Sequence, residues 1–324
     1  MTRVREVCVI GLGLIGGSLL RAVTAAGRTA WGSAESAGDI EAATAEGFDI
    51  ESSVDAALLR AARREALVVL AVPLTALDPV LAKVGEIAPT CLLTDVTSVK
   101  QPVVDRVEQH APGARFVGGH PMAGTARSGW QAGNADLFRA AAWVACVEHD
   151  TELAAWSEVA RLALDVGAHV VPATAALHDA AVARISHLPH LLAAVLASVG
   201  AEGGPLTLSL AAGSFTDGTR VAGTRPELTR AMTEGNRAAL LPALDSALGM
   251  LGAARGALAS TGSLAATINA GHRGAQELSA ARAAERAGVR IDLNASDADD
   301  ALLALGEQGG RITGLEGTIA FGEV

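Results

Sequence analysis

The stretch Arg5-Glu6-Val7-Cys8-Val9-Ile10-Gly11-Leu12-Gly13-Leu14-Ile15-Gly16-Gly17-Ser18-Leu19 decides the fold. A β-rich apolar run ends at Ile10, a Gly-x-Gly-x-x-Gly turn follows, and an Ala/Leu-rich helical pattern runs from Ile15 to Ala26 before Gly27. Strand, glycine turn and helix in direct succession are the context in which this motif cradles a dinucleotide. Gly11 permits the tight turn, Gly13 lets backbone approach a pyrophosphate, and Gly16 lets helix and strand pack closely, while the helix start presents unpaired N–H groups. Gly11, Leu12, Gly13, Leu14, Ile15 and Gly16 are therefore the candidate cofactor turn.

Outward from this unit, short apolar runs alternate with helical patterns at a spacing typical of βαβ units. Strands are expected over 5–10, 29–32, 67–72, 91–94, 115–117, 143–147 and 169–171, forming an open, mostly parallel sheet covered by helices. Beyond Pro172 the pattern turns helical. Thr174 is a plausible N-cap for a helix to about Val199, kinked at Pro189. Further helices are expected over 206–212, 226–255 and 262–288, with apolar faces that suggest a helix-on-helix dimer. The expected organisation is an α/β Rossmann-type domain over 1–172, an all-α dimerisation domain over 173–292, and a tail over 293–324 that the sequence leaves unassigned.

Composition narrows the function classes. The chain has 324 residues, half of them hydrophobic, yet only 3% aromatic and with no tyrosine. A short-chain dehydrogenase, which uses a tyrosine as general acid, is excluded. A net charge of −10 gives no electrostatic footprint for nucleic acid. Cys8, Cys91 and Cys146 are widely spaced in or beside apolar runs and read as reduced core residues, with no metal site. Charged residues lead directly into the first strand, and no run reaches the roughly 20 uninterrupted apolar residues of a membrane span. A soluble, cytoplasmic protein is the expectation.

Three segments follow strands, where parallel strand ends line a cofactor crevice. Val72 and Pro73 form an apolar wall, and Ser98 opens the next helix with its hydroxyl towards the crevice. His120 lies in the glycine-rich loop Gly118-Gly119-His120-Pro121-Met122-Ala123-Gly124-Thr125. A neutral histidine there can take a proton from a hydroxyl as hydride leaves the same carbon; alternatively it only caps the loop. In the second half, His187 and His190 are three apart on a helix, without the third ligand that zinc requires. Arg220 leaves a Gly/Ser/Thr-rich turn and is suited either to a carboxylate ligand or to an ion pair with Asp217. His110, His149, His169, His178 and His272 read as surface or packing residues. Ser33 ends the second strand where NAD sites usually carry an acid, and a small residue leaves room for a 2′-phosphate; no Arg follows at once to bind one and Glu35 would repel it, which favours NAD while leaving NADP open.

Together these segments resemble the prephenate/arogenate dehydrogenase family of tyrosine biosynthesis. The resemblance rests on GLGLIGGSL (11–19), AVPL (71–74), TDVTSVK (94–100), GGHPMAGT (118–125), ISHLPH (185–190) and GSFTDGTRVA (213–222), in that order along the chain. It implies oxidative decarboxylation of prephenate to 4-hydroxyphenylpyruvate with hydride transfer to NAD or NADP, or the equivalent reaction of arogenate to tyrosine. His120 would accept the ring hydroxyl proton and Ser98 would orient it beside the nicotinamide. Arg220 would hold a substrate carboxylate, with Thr125, Ser186, His187, His190 and Gly213 lining the pocket. One departure concerns substrate choice: prephenate-using members are expected to carry an acid after the threonine of the HPxAGT motif, where this chain has Ala126. The tail is too short for a regulatory ACT domain of roughly 70 residues, so any tyrosine feedback would act at the active site. A β-hydroxyacid dehydrogenase would need a lysine in the helical half, and none follows Lys100. A non-catalytic nicotinamide-binding regulator would keep the glycine turn without consuming substrate.

Overall fold

The structure is a computed structural model, and it describes residues 4–125 and 127–324. Five parallel strands, β1 (Val7–Ile10), β2 (Ala30–Ser33), β3 (Leu67–Leu70), β4 (Leu92–Asp95) and β5 (Arg115–Val117), form one sheet in the order β2-β1-β3-β4-β5. A single parallel bridge from Gly32 to Ile50 extends it beyond β2. The order reverses between β1 and β3, which is where open α/β sheets bind their ligands. Strand residues alternate between two cores. Val7, Val9, Leu67 and Val69 pack into one, and Cys8, Ile10, Val68 and Leu70 into the other. A sheet covered on both faces needs apolar residues at every strand position, hence the continuous VCVI and LVVL runs.

The parallel sheet ends at β5. Strands β6 (Gly119–Pro121), β7 (Ala142–Cys146) and β8 (His169–Ala173) belong to a second sheet, so the expected strands near 143–147 and 169–171 do not extend the first. This sheet is completed by the C-terminal residues, which form β9 (Gly288–Asp292), the helix Ala298–Glu307, β10 (Arg311–Glu316) and β11 (Ile319–Glu323), in the order β6-β7-β8-β10-β11-β9. Leu302 and Leu305 of that helix are buried in the same core as Trp143 and Trp156. The tail is thus folded onto the first half, a placement that depends on pairings across more than a hundred residues and leaves no local sequence signal. Aromatic residues are few, yet all four tryptophans, Trp31, Trp130, Trp143 and Trp156, are fully buried.

The chain divides into two compact units, one comprising 1–179, 225–235 and 288–324, the other 180–224 and 236–287. The expected helix over 226–255 is two helices, Pro226–Gly235 and Arg237–Ser260, which fall in different units. The break falls at Gly235-Asn236, two residues with low helix propensity. A Cβ on Gly235 would lie 2.7 Å from Leu74 Cδ2, so a larger residue would make the Leu74 side chain shift where that helix packs on the turn Leu74–Ala76. Near Pro189 the helix Ala175–Val182 passes through a π turn over Ala183–His187 into Leu188–Glu202. Proline lacks an N–H and crowds the carbonyl four residues earlier; the widened turn accommodates both effects. By length and composition alone the run Ala175–Glu202 could cross a membrane, a property that counting uninterrupted apolar residues does not detect.

Candidate active site

The glycine turn has the geometry its three roles require. Gly11 has φ +102°, and a Cβ there would lie 2.5 Å from Ala71 O. A Cβ on Gly16 would lie 1.9 Å from Gly11 O, whereas one on Gly13 would meet nothing within 4 Å. The turn is therefore closed behind Gly11 and Gly16 and open at Gly13. The helix Leu14–Ala25 starts here without a side-chain cap, so its first N–H groups face the opening. Leu12 is buried, while Leu14 and Ile15 are half-buried. Val72 lies against the turn, its Cγ1 3.0 Å from the Cβ that Gly11 lacks, and Pro73 is exposed beside it. Ser33 ends β2 fully buried, its Oγ without a hydrogen-bond partner and its carbonyl accepting from Gly11 N at 2.8 Å. A dinucleotide fits this cradle: the opening, the uncapped N–H groups and the orphaned hydroxyl share one edge of the sheet.

His120 stands on β6, a correction to its expected place in a loop. That strand is held to the end of β4 by a buried polar cluster. Asp95 accepts from Gly119 N at 3.0 Å and Thr97 N at 3.0 Å, and Lys100 Nζ bonds Asp95 and donates to Gly119 O at 2.6 Å. Both Asp95 and Lys100 are fully buried, so each offsets the other's desolvation. Ser98 lies half-buried in the bend between β4 and the helix Gln101–His110. It does not open that helix. Instead Asp179, remote in sequence, accepts from Lys100 N at 2.8 Å and Gln101 N at 2.9 Å and takes the capping role.

The same Asp179 begins a line of three side chains. His178 Nδ1 lies 2.8 Å from Asp179 Oδ1, and His178 Nε2 lies 2.8 Å from His120 Nδ1. The two imidazoles meet edge to face, with centroids 5.0 Å apart. His178 is buried, so it is not a surface residue, and both of its ring nitrogens are bonded, to Asp179 and to His120. Burial lowers its pKa against the opposing pull of Asp179, so it is neutral at pH 7. Burial also opposes ionisation of Asp179, but the His178 bond and the two backbone N–H groups outweigh it and hold its pKa below the ordinary value. An ionised Asp179 accepts only, so His178 carries its proton on Nδ1 and accepts at Nε2. His120 then carries its proton on Nδ1, and Nε2 is its basic nitrogen.

Thr125 is exposed, its Oγ1 accepting from Arg127 N at 3.2 Å; Ala126 lies outside the described residues. In the other unit, His187 is buried, and its Nδ1 accepts from Asn236 Nδ2 at 3.0 Å. His190 is half-buried and donates from Nδ1 to Ser186 O at 2.8 Å. Gly213 opens the helix Gly213–Thr219, so the expected irregular turn is helical, and exposed Arg220 begins the turn Arg220–Gly223. Among the described residues Arg220 makes no ion pair with Asp217. No group of three or more His, Cys, Asp or Glu among the described residues could hold a metal ion. Asp95, Lys100, His178 and Asp179 were not singled out from sequence as site residues. The adjacent His-Asp pair at 178–179 was the available signal, but its partners are 58 and 79 residues away.

Comparison with known proteins agrees with this geometry. Residues 20–172 match the family described as prephenate dehydrogenase, nucleotide-binding domain, and 174–262 the prephenate dehydrogenase dimerization domain. A cyclohexadienyl dehydrogenase of Zymomonas mobilis is 32% identical over 265 residues, covering 80% of this chain and 90% of that protein. A crystal structure from Corynebacterium glutamicum, provisionally called a prephenate dehydrogenase, is 44% identical with TM-score 0.89, covering 95% of this chain and 98% of that one. Synechocystis arogenate dehydrogenase is 29% identical with TM-score 0.70, covering 86% and 98%. With both of its domains matched in order by the same family, the chain belongs to the prephenate dehydrogenases.

Proposed function

We propose that the chain is a cytoplasmic, homodimeric enzyme that oxidatively decarboxylates prephenate to 4-hydroxyphenylpyruvate, with NAD as hydride acceptor, in tyrosine synthesis. The observation that carries the reading is the Asp179–His178–His120 line, beside the strand ends that form the dinucleotide cradle. When bound, the nicotinamide supplies the hydride acceptor. His120 takes the ring hydroxyl proton at Nε2 as the carbonyl forms, and His178 and Asp179 hold the tautomer that leaves this nitrogen basic. Loss of the ring carboxylate as CO2 leaves its bonding electron pair in the ring, which becomes an aromatic phenolate and takes back the proton held by His120, making the step irreversible. Ser98 lies on the same edge and orients His120 and the nicotinamide.

Lys100 is neutralised by Asp95, so charge for the dianionic substrate must come from elsewhere, and Arg220 is the candidate. Ser186, His187, His190 and Gly213 are assigned to the pocket with it, and Thr125 to the substrate side of β6. Preference for NAD follows from the exposed Glu35, whose charge would repel a 2′-phosphate that the small, neutral Ser33 leaves room for. The dimer would use the apolar helical faces, which expose Leu206, Leu210, Leu248, Met250 and Ile268. Ala126, where an acid is expected in prephenate users, favours a second reading, arogenate to tyrosine. Initial rates with prephenate and arogenate, each with NAD and NADP, decide among the four combinations. Absence of turnover in all four would refute the proposal.

A further inference from the structure

The connection from β6 to β7 runs over residues 122–141, far longer than a hairpin between paired antiparallel strands requires. Its middle is fastened to the dinucleotide-binding helix and to the helix Ala37–Ala45. Trp130 is fully buried, its Nε1 donating to Glu46 Oε1 at 2.8 Å and its N donating to Asp39 Oδ1 at 3.0 Å. The guanidinium of Arg21 lies 3.6 Å over the Trp130 ring, donates to Trp130 O at 3.3 Å, and pairs with Glu46 Oε2 at 2.8 Å. Asn134 N donates to Ser18 Oγ at 2.9 Å. Gly17, one residue past the glycine motif, packs tightly on the indole: a Cβ there would lie 3.0 Å from Trp130 Cε3.

These contacts are more than a surface tie. A buried indole, a cation over its face and a carboxylate shared between them tie the cluster together, and such networks favour one geometry. The contacts fix Trp130 and Asn134, in the connection that carries Thr125 between β6 and β7, and the element they fix them to is the helix that follows the glycine turn. We infer that Trp130, clasped by Arg21 and Glu46, is a positioning residue that sets the substrate-side connection after β6 against the cofactor helix, so that substrate affinity depends on this clasp. The inference rests on the proposed placing of substrate beside Thr125.

The test uses the full-length protein and initial rates over a grid of prephenate and NAD concentrations, with arogenate substituted if it is the better substrate. Trp130→Phe keeps the ring and loses the bond to Glu46; Glu46→Gln keeps an acceptor for the indole and loses the ion pair with Arg21. Each is expected to raise the KM for the cyclohexadiene substrate about tenfold, with kcat within about threefold and the KM for NAD within about twofold. Combining Trp130→Phe with Thr125→Ala should raise KM less than the product of the single effects, because both act through one segment. A lowered melting temperature with all three kinetic constants unchanged would overturn the inference, as would a rise in the KM for NAD alone or fully multiplicative effects. Failure of wild-type protein to turn over any cyclohexadiene would refute the proposed function instead, so the two failures are distinguishable.

Discussion

Replacing Asp179 with asparagine removes one charge from the site and changes little in shape. In the native chain the carboxylate accepts three hydrogen bonds, from Lys100 N, Gln101 N and His178 Nδ1, at 2.8, 2.9 and 2.8 Å. A carboxamide has one oxygen, so its NH2 must face a former donor. One backbone N–H loses its charge-assisted bond in either orientation, which costs about 1.5–3 kcal/mol of folding stability. The rate effect is separate. With the amide oxygen on Gln101 N, its N–H group faces His178 Nδ1 and moves the histidine proton to Nε2, which then donates to His120 Nδ1 and puts the His120 proton on Nε2, blocking the base. A loss on the order of 10³ in kcat is expected, as for a base held in the wrong tautomer. NADH absorbance gives kcat, urea melts give stability, and cofactor quenching of tryptophan fluorescence checks that the dinucleotide still binds. The stability difference also has a pH signature. The folded pKa of Asp179 lies below its ordinary 3.8, so its contribution is complete above about pH 5 and is lost as pH falls through the folded value. A folded Asp179→Asn protein with kcat within about threefold of wild type would refute the relay.

Further outcomes follow from individual contacts. Gly16→Ala places a Cβ 1.9 Å from Gly11 O, so it should abolish measurable NAD binding in a thermal-shift assay; binding at the wild-type level would contradict the cradle. Arg220→Ala should raise the substrate KM by about 30-fold, equivalent to about 2 kcal/mol for a charged hydrogen bond, with kcat little changed; an unchanged KM would remove Arg220 from the site. Burial pushes the Cys91 thiol up to about 11 and those of Cys8 and Cys146 higher still. Native protein at pH 7.5 should therefore react with a disulfide reagent only slowly, and a rapidly titrating thiol would show that one of these sites is open.

Legibility from sequence followed the range of the interactions. The glycine turn, β1 and the first helix are set by residues within about twenty positions, and their boundaries and the three glycine roles could be read directly. His120 could be found because a histidine between glycines after a strand is unusual. Its strand could not, because β6 is three residues long and exists through pairing with β7 and anchoring by Asp95 and Lys100. His178 looked like any histidine on an amphipathic helix, since what distinguishes it is contact with His120, 58 residues earlier. The tail was unreadable for the same reason: β10 pairs with β8 across about 140 residues, and its own sequence is short, acidic and Gly-rich.

The central claim is that His120 is the base in an NAD-linked oxidative decarboxylation. The direct measurement is kcat for wild type and His120→Asn with prephenate and NAD at saturation, following NADH and CO2 together, with arogenate run in parallel. The account predicts equal yields of NADH and CO2 from wild type and a fall of about 10² or more in kcat for His120→Asn, with NAD binding unchanged. Turnover by His120→Asn at the wild-type rate, or NADH formed without CO2, would contradict it.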